Sequence, residues 1–123
     1  MRVNFGTLRI VDKKIVVAFY RSRSGVQPVR EWLLSLDDAD RRTIGRDIQR
    51  LEFEWPVGMP YCRSLGHGLW EVRSRISDGR IARVIFCPSE GRLYLLHGFI
   101  KKTQKTPPGE IELALRRMQE GRA

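Results

Sequence analysis

Residues 69–100 read LWEVRSRISDGRIARVIFCPSEGRLYLLHGFI, and the period of this stretch decides the fold. Side chains alternate faces along a strand. Trp70, Val72 and Ile76 therefore fall on one side, and Glu71, Arg73 and Arg75 on the other. Ser77-Asp78-Gly79 has turn chemistry. Ile81 to Phe86 then repeats the alternation, with Arg83 opposite in parity to Ala82, Val84 and Phe86. Pro88 to Gly91 predicts a second turn. Leu93 to Ile100 is apolar on both sides, which predicts an interior strand.

Upstream of the meander the period changes from two to about 3.6. Pro28 suits a first helical turn, and Val29, Trp32, Leu33 and Leu36 follow as one apolar stripe. Asp37 or Asp38 caps a second helix whose stripe is Ile44, Ile48, Leu51 and Trp55, ended by Pro56 and Gly58. Earlier still, Ile15-Val16-Val17-Ala18-Phe19 reads as a short strand broken by Gly25. A short extra strand fits near Cys62 to Leu65. Downstream, Pro107-Pro108 opens a last helix with the stripe Ile111, Ala114, Leu115 and Met118. The order is β-α-α-β-β-β-α. The expected fold is α+β, an antiparallel sheet with an N-terminal helical hairpin and a C-terminal helix on one face, in a single domain over residues 1–123.

The 123 residues suit one domain, and no repeat, linker or low-complexity tract interrupts them. Cys62 and Cys87 form no close pair, so neither a disulfide framework nor a zinc site is expected. No apolar run approaches the ~20 residues of a membrane span, and the first residues lack a signal-peptide core; these features predict a cytoplasmic protein with no membrane partner. The formal net charge of +9 favours a polyanionic partner. The surplus is uneven: residues 29–55 hold five basic and seven acidic residues, whereas residues 56–105 hold nine basic and three acidic.

Parity places Arg73, Arg75 and Arg83 on the sheet face expected to stay uncovered, with Arg63 just before the first of these strands and Lys101, Lys102 and Lys105 after the last. Such a face suits a phosphate backbone. Any half-exposed antiparallel sheet shows the same alternation, so a merely solvated face remains the alternative. His97 sits in the third meander strand, and His67 between Gly66 and Gly68 in a loop. No set of His, Asp, Glu and Cys has metal-ligand spacing, and neither a metal nor another cofactor is expected. Phosphate-loop, dinucleotide and nucleophile-elbow motifs are missing.

Arg63-Ser64-Leu65, Leu69-Trp70-Glu71-Val72-Arg73, Arg80-Ile81-Ala82-Arg83-Val84 and Leu95-Leu96-His97-Gly98-Phe99 occur in this order. They are followed by Lys101-Lys102-Thr103-Gln104-Lys105-Thr106-Pro107 and preceded by Val29-Arg30-Glu31-Trp32-Leu33. Together they resemble the HigB-like, phage-derived branch of the RelE/ParE toxin superfamily over residues 13–120, with residues 1–12 as a variable extension. The resemblance implies the toxin of a type II toxin–antitoxin pair, a metal-independent endonuclease that cuts mRNA on the ribosome and blocks translation. Its implied partners are a helix-turn-helix, HigA-like antitoxin, mRNA on the ribosome, and operator DNA through the antitoxin complex. Charge chemistry then assigns Arg73 and Arg83 to the scissile phosphate and Arg63 to a clamp beside it. Lys102, or Lys101, and His97 become the proton-transfer candidates, Phe99 a base-stacking one, and Arg75, Lys101 and Lys105 contacts to the RNA. Two other functions fit the same superfamily and charge: a ParE-like inhibitor of DNA gyrase, and a non-catalytic module that binds nucleic acid or the ribosome.

Overall fold

In chain order the elements are β1 (Val16–Phe19), α1 (Pro28–Leu34), α2 (Asp38–Glu54), β2 (Cys62–Gly66), β3 (Leu69–Arg75), β4 (Ile81–Ser89), β5 (Arg92–Lys101) and α3 (Pro108–Arg122). They come from a computed structural model that describes residues 15–101 and 105–122, so the expected N-terminal extension lies outside the described residues. One five-stranded sheet has the order β1-β5-β4-β3-β2. β2 to β5 form the expected antiparallel meander. β1, in contrast, pairs parallel with β5, through Val17 opposite Leu93 and Phe19 opposite Leu95. The sheet is therefore mixed rather than purely antiparallel, because a strand joined through a long helical crossover is not held to a hairpin's direction.

Local chemistry sets most boundaries. Pro28 occupies the start of α1, and Asp38 and Asp40 stand in the first turn of α2, where acids complement the helix dipole. α2 stops at Glu54 because Pro56 drives Trp55 into extended backbone, φ −61° and ψ 137°. The second hairpin turns later than Pro88. Glu90 and Gly91 take positive φ values of 50° and 79°, the two-residue pattern that matches strand twist, and β4 continues through Ser89.

Helices cover both faces of the sheet. Val29, Leu33, Ile44, Ile48 and Leu51 of the α1–α2 hairpin pack on Cys62, Val72, Ala82, Val84, Phe86, Leu93 and Leu95. α3 instead packs Ala114 and Met118 against Leu69, Ile85, Cys87 and Leu96 on the other face. The expectation that the C-terminal helix shares a face with the hairpin is thus overturned. The physical reason lies in the strands. β4 alternates Val84 and Phe86 with Ile85 and Cys87, so both of its faces are apolar and each needs a cover. β5 serves both covers through a bulge: the register steps from Ile85 opposite His97 to Phe86 opposite Leu95, which adds Leu96 to the α3 face. Cys62 and Cys87 are buried without a disulfide, on opposite faces.

Two contacts dock the hairpin. Gly98 lies under the Trp32 indole, and a Cβ there would collide with Trp32 Cε3 and Cζ3. Asp40, buried in α2, accepts hydrogen bonds from Ser77 N (3.1 Å), Ser77 Oγ (2.9 Å) and Arg80 Nη2 (2.7 Å). It thereby ties the β3–β4 turn to the helix.

Gly98→Ala is expected to cost about 1–3 kcal/mol in urea unfolding, the usual range for overpacking, and Trp32→Leu in the same chain to recover part of that loss. Asp40 carries a pH signature. The Ser77 backbone amide, followed by the Ser77 hydroxyl and Arg80, holds its carboxyl below the ordinary aspartate range. Its contribution is therefore complete above the unfolded-state value, about pH 4, and is lost as pH falls from there through the lowered folded value. Asp40→Asn should be less stable at pH 7 and should lose less stability than the wild type between pH 4 and pH 2.

Candidate nucleic-acid interface

The strand register sets the residues of the α3 face in rows. Arg63 of β2 lies opposite Glu71 of β3, which lies opposite Ile85 of β4, itself opposite His97 of β5. The next row is Arg73, Arg83 and Phe99, and the third is Arg75, Ile81 and Lys101. α3 packs at the Leu69, Ile85, Cys87 and Leu96 end. Beyond that end Arg73 is half-buried and Arg75 exposed, whereas Arg83 and Phe99 of the middle row are buried.

Arg73 and Arg83 share a face and a row, as parity predicts. Arg83 is not open, however. It is 1% exposed, and so is Glu71, with Arg83 Nε 3.7 Å from Glu71 Oε1. The Thr106 hydroxyl donates to Glu71 Oε2, so the stretch leading into α3 is pinned onto this pair. Burial lowers the Arg83 pKa, Glu71 opposes that shift, and the neighbouring Arg73 and Arg63 charges reinforce it. The Arg63 and Arg73 guanidinium groups therefore both sit within electrostatic range of Arg83, beside the buried Glu71 carboxylate. Arg63 and Arg73 are half-buried and Arg75 is exposed. Arg73 Nε is buried without a hydrogen-bond acceptor among the described residues.

The remaining candidates divide. His97 Nε2 lies 2.6 Å from Glu110 Oε1, in the first turn of α3. Its ring stacks on Phe99 with centroids 5.4 Å apart. Phe99, expected to stack on a nucleobase, is 8% exposed, and its ring packs against His97 and the α3 cluster. Lys105 is exposed and lines a cavity of about 420 Å³ with Arg63, Ser64, Thr106 and the start of α3. Lys101 takes the register position opposite Ile81, and Lys102 lies outside the described residues. His67 is exposed at a turn, with φ 57°. Among the described residues, no three His, Cys, Asp or Glu side chains gather in a metal-binding group, and no helix is long and apolar enough to cross a membrane.

Sequence reasoning placed Glu71 on the arginine face but gave it no part. The pairing of Glu110 with His97 and of Thr106 with Glu71 is likewise not visible in the sequence. Their signal is weak, because each acts through a partner distant in sequence.

The sequence model of the family described as phage-derived protein Gp49-like (DUF891) matches residues 31–119, well over half of the chain. The chain belongs to the Gp49-like family. This family is of the RelE/HigB-like toxin type and is associated with the toxins of toxin–antitoxin pairs. The match runs from α1 into α3 of this Gp49-like protein and contains every arginine of the cationic face. No curated protein matches it.

Glu71→Ala in the Gp49-like protein leaves the Arg83 charge buried without its carboxylate. The expected loss is about 3–5 kcal/mol in urea unfolding. Adding Arg83→Met should recover a measurable part of it, because both charges are then gone.

Proposed function

We propose that this Gp49-like protein is a HigB-like toxin of a type II pair, an endonuclease that cuts mRNA on the ribosome. The supporting observation is the cluster of Arg63, Arg73 and Arg83 around Glu71. One carboxylate offsets one of the three charges, an RNA phosphodiester offsets a second, and the charge that grows in the transition state meets the third. In the reaction, the ribose 2′-hydroxyl loses its proton and attacks the adjacent phosphorus in line. The P–O2′ bond forms, the P–O5′ bond breaks, and the 5′-oxygen takes up a proton, leaving a 2′,3′-cyclic phosphate and a 5′-hydroxyl. Negative charge grows on the non-bridging oxygens in the transition state, and fixed guanidinium groups stabilise it without reorganising.

Arg73 holds the scissile phosphate and Arg63 clamps it. Arg83 acts from beneath: paired with Glu71, it adds positive potential to the site and fixes the row that carries Arg73. His97, oriented by Glu110 as a carboxylate orients a catalytic imidazole, carries a proton at the bond that breaks or forms. Lys102 is the second proton carrier, and Arg75, Lys101 and Lys105 hold the flanking backbone. The protein works in the cytoplasm, where a helix-turn-helix antitoxin neutralises it and joins it to operator DNA.

Induced expression in a bacterial host should cut transcripts within translated regions. Arg73→Ala should lower the cutting rate by about 10²–10³-fold, the usual effect of removing one preorganised donor, while the circular-dichroism spectrum stays that of the folded wild type. Intact transcripts with double-strand DNA breaks would overturn this reading in favour of a gyrase inhibitor.

A further inference from the structure

β2 begins too late to cover the end of β3, whose last three residues run past its first pair. Cys62 pairs with Val72, and the last backbone link is Arg73 N to Tyr61 O at 3.2 Å. Ser74 and Arg75 keep their β4 partners, Ala82 and Ile81, but have no strand partner on the β2 side among the described residues. The notch left at this edge has a volume of about 470 Å³ and is lined by Asp47, Arg50, Tyr61, Arg73, Arg75 and Ile81, among others. That volume lies within the ~300–1,000 Å³ of small-ligand sites.

Three arginines reach the notch from two elements. Arg73 brings the buried Nε described above. Strand alternation directs the Arg75 backbone N–H to the same side as that of Arg73, where no strand follows. Arg50 comes from α2, on the opposite sheet face. Its Nε is bound to Glu54 Oε2 at 2.9 Å, and its Cζ lies 4.2 Å from the centroid of the Tyr61 ring. The Tyr61 hydroxyl donates to the Asp47 carbonyl, which fixes the ring that supports the guanidinium. Asp47 is the one acid among the lining residues, against three arginines.

We propose that this notch is a second phosphate subsite for single-stranded RNA, separate from the cleavage cluster and joined to it through Arg73. The inference rests on the RNA reading above. Arg73 both lines the notch and faces Arg83, so a strand whose phosphate sits over Arg63 and Arg73 can continue around the sheet edge to Arg75 and Arg50. The donors suit one phosphodiester: planar guanidinium forks that bind two oxygens at once, and the Arg75 backbone amide. The track then leaves the sheet over its β2–β3 edge rather than across β5.

The test uses the full chain and 5′-fluorescein-labelled 2′-O-methyl RNA, which lacks the attacking hydroxyl, as a dinucleotide and as an octamer. Anisotropy is read across a salt titration. Arg50→Gln and Arg75→Gln should each weaken octamer binding several-fold and flatten its salt dependence by about 0.7 per lost phosphate contact. Dinucleotide binding should stay unchanged in Arg50→Gln. Octamer affinity and salt slope equal to wild type in both variants would overturn the subsite; if Arg63→Gln still weakens the octamer in that case, the RNA reading survives. A wild-type protein that ignores both RNAs, yet loses binding of a fluorescein-labelled oligoglutamate in the notch variants, would overturn both and assign the notch to an acidic protein segment.

Discussion

Like charges at strand spacing repel, and the cationic face holds together because Glu71 lies within it. Unit charges ~5 Å apart interact by ~3 kcal/mol at an effective dielectric constant of 20. Arg73 and Arg83 stand at that spacing, so without a counter-charge this pair alone would oppose folding by a sizeable part of a small domain's stability. The carboxylate is buried beside Arg83, and Thr106 closes it from the α3 side. One buried anion thus sets three things together: the row of arginines, the path of the chain into α3, and the surplus of positive charge left for a ligand.

That arrangement depends on how the two faces are shared. The α1–α2 hairpin takes one face, brought close by the missing side chain at Gly98 beneath Trp32. α3 takes the other, but its stripe is short and spends itself on Leu69, Ile85, Cys87 and Leu96. The β5 bulge supplies Leu96 to that contact while keeping Leu93 and Leu95 under the hairpin. A longer apolar stripe on α3 would bury the Arg73 and Arg75 side chains as well.

Much of this was legible in the sequence. Period-two alternation from Leu69 to Phe86 fixed which residues accompany Arg73 and Arg83, and the helix stripes gave the hairpin and α3 because burial demands a contiguous apolar surface. Three things were not legible. The side of the sheet that α3 covers depends on both parities of β4 and β5 being apolar, and a strand read as interior leaves open which helix covers which side. The exposure of Arg83 depends on Thr106 and Glu71, which meet across 35 residues. Parity tells direction, not depth. The notch at Arg75 was hidden for a related reason: it exists because β2 starts at Cys62, and strand ends are where sequence patterns are weakest.

The distribution of charge gains meaning from this geometry. The acidic block, residues 29–55, is the hairpin face, whereas the strands from Arg63 onward carry the basic surplus to the opposite side. A molecule with its charge so divided turns one side toward a polyanion before contact, which speeds encounter and selects orientation. Arg50 is the exception. It belongs to the acidic helix, yet it leans on Tyr61 at the sheet edge and joins Arg73 and Arg75 there. Had it served only to balance α2, its pairing with Glu54 would suffice; the contact with Tyr61 places it where the positive side ends, and so extends that side around the edge.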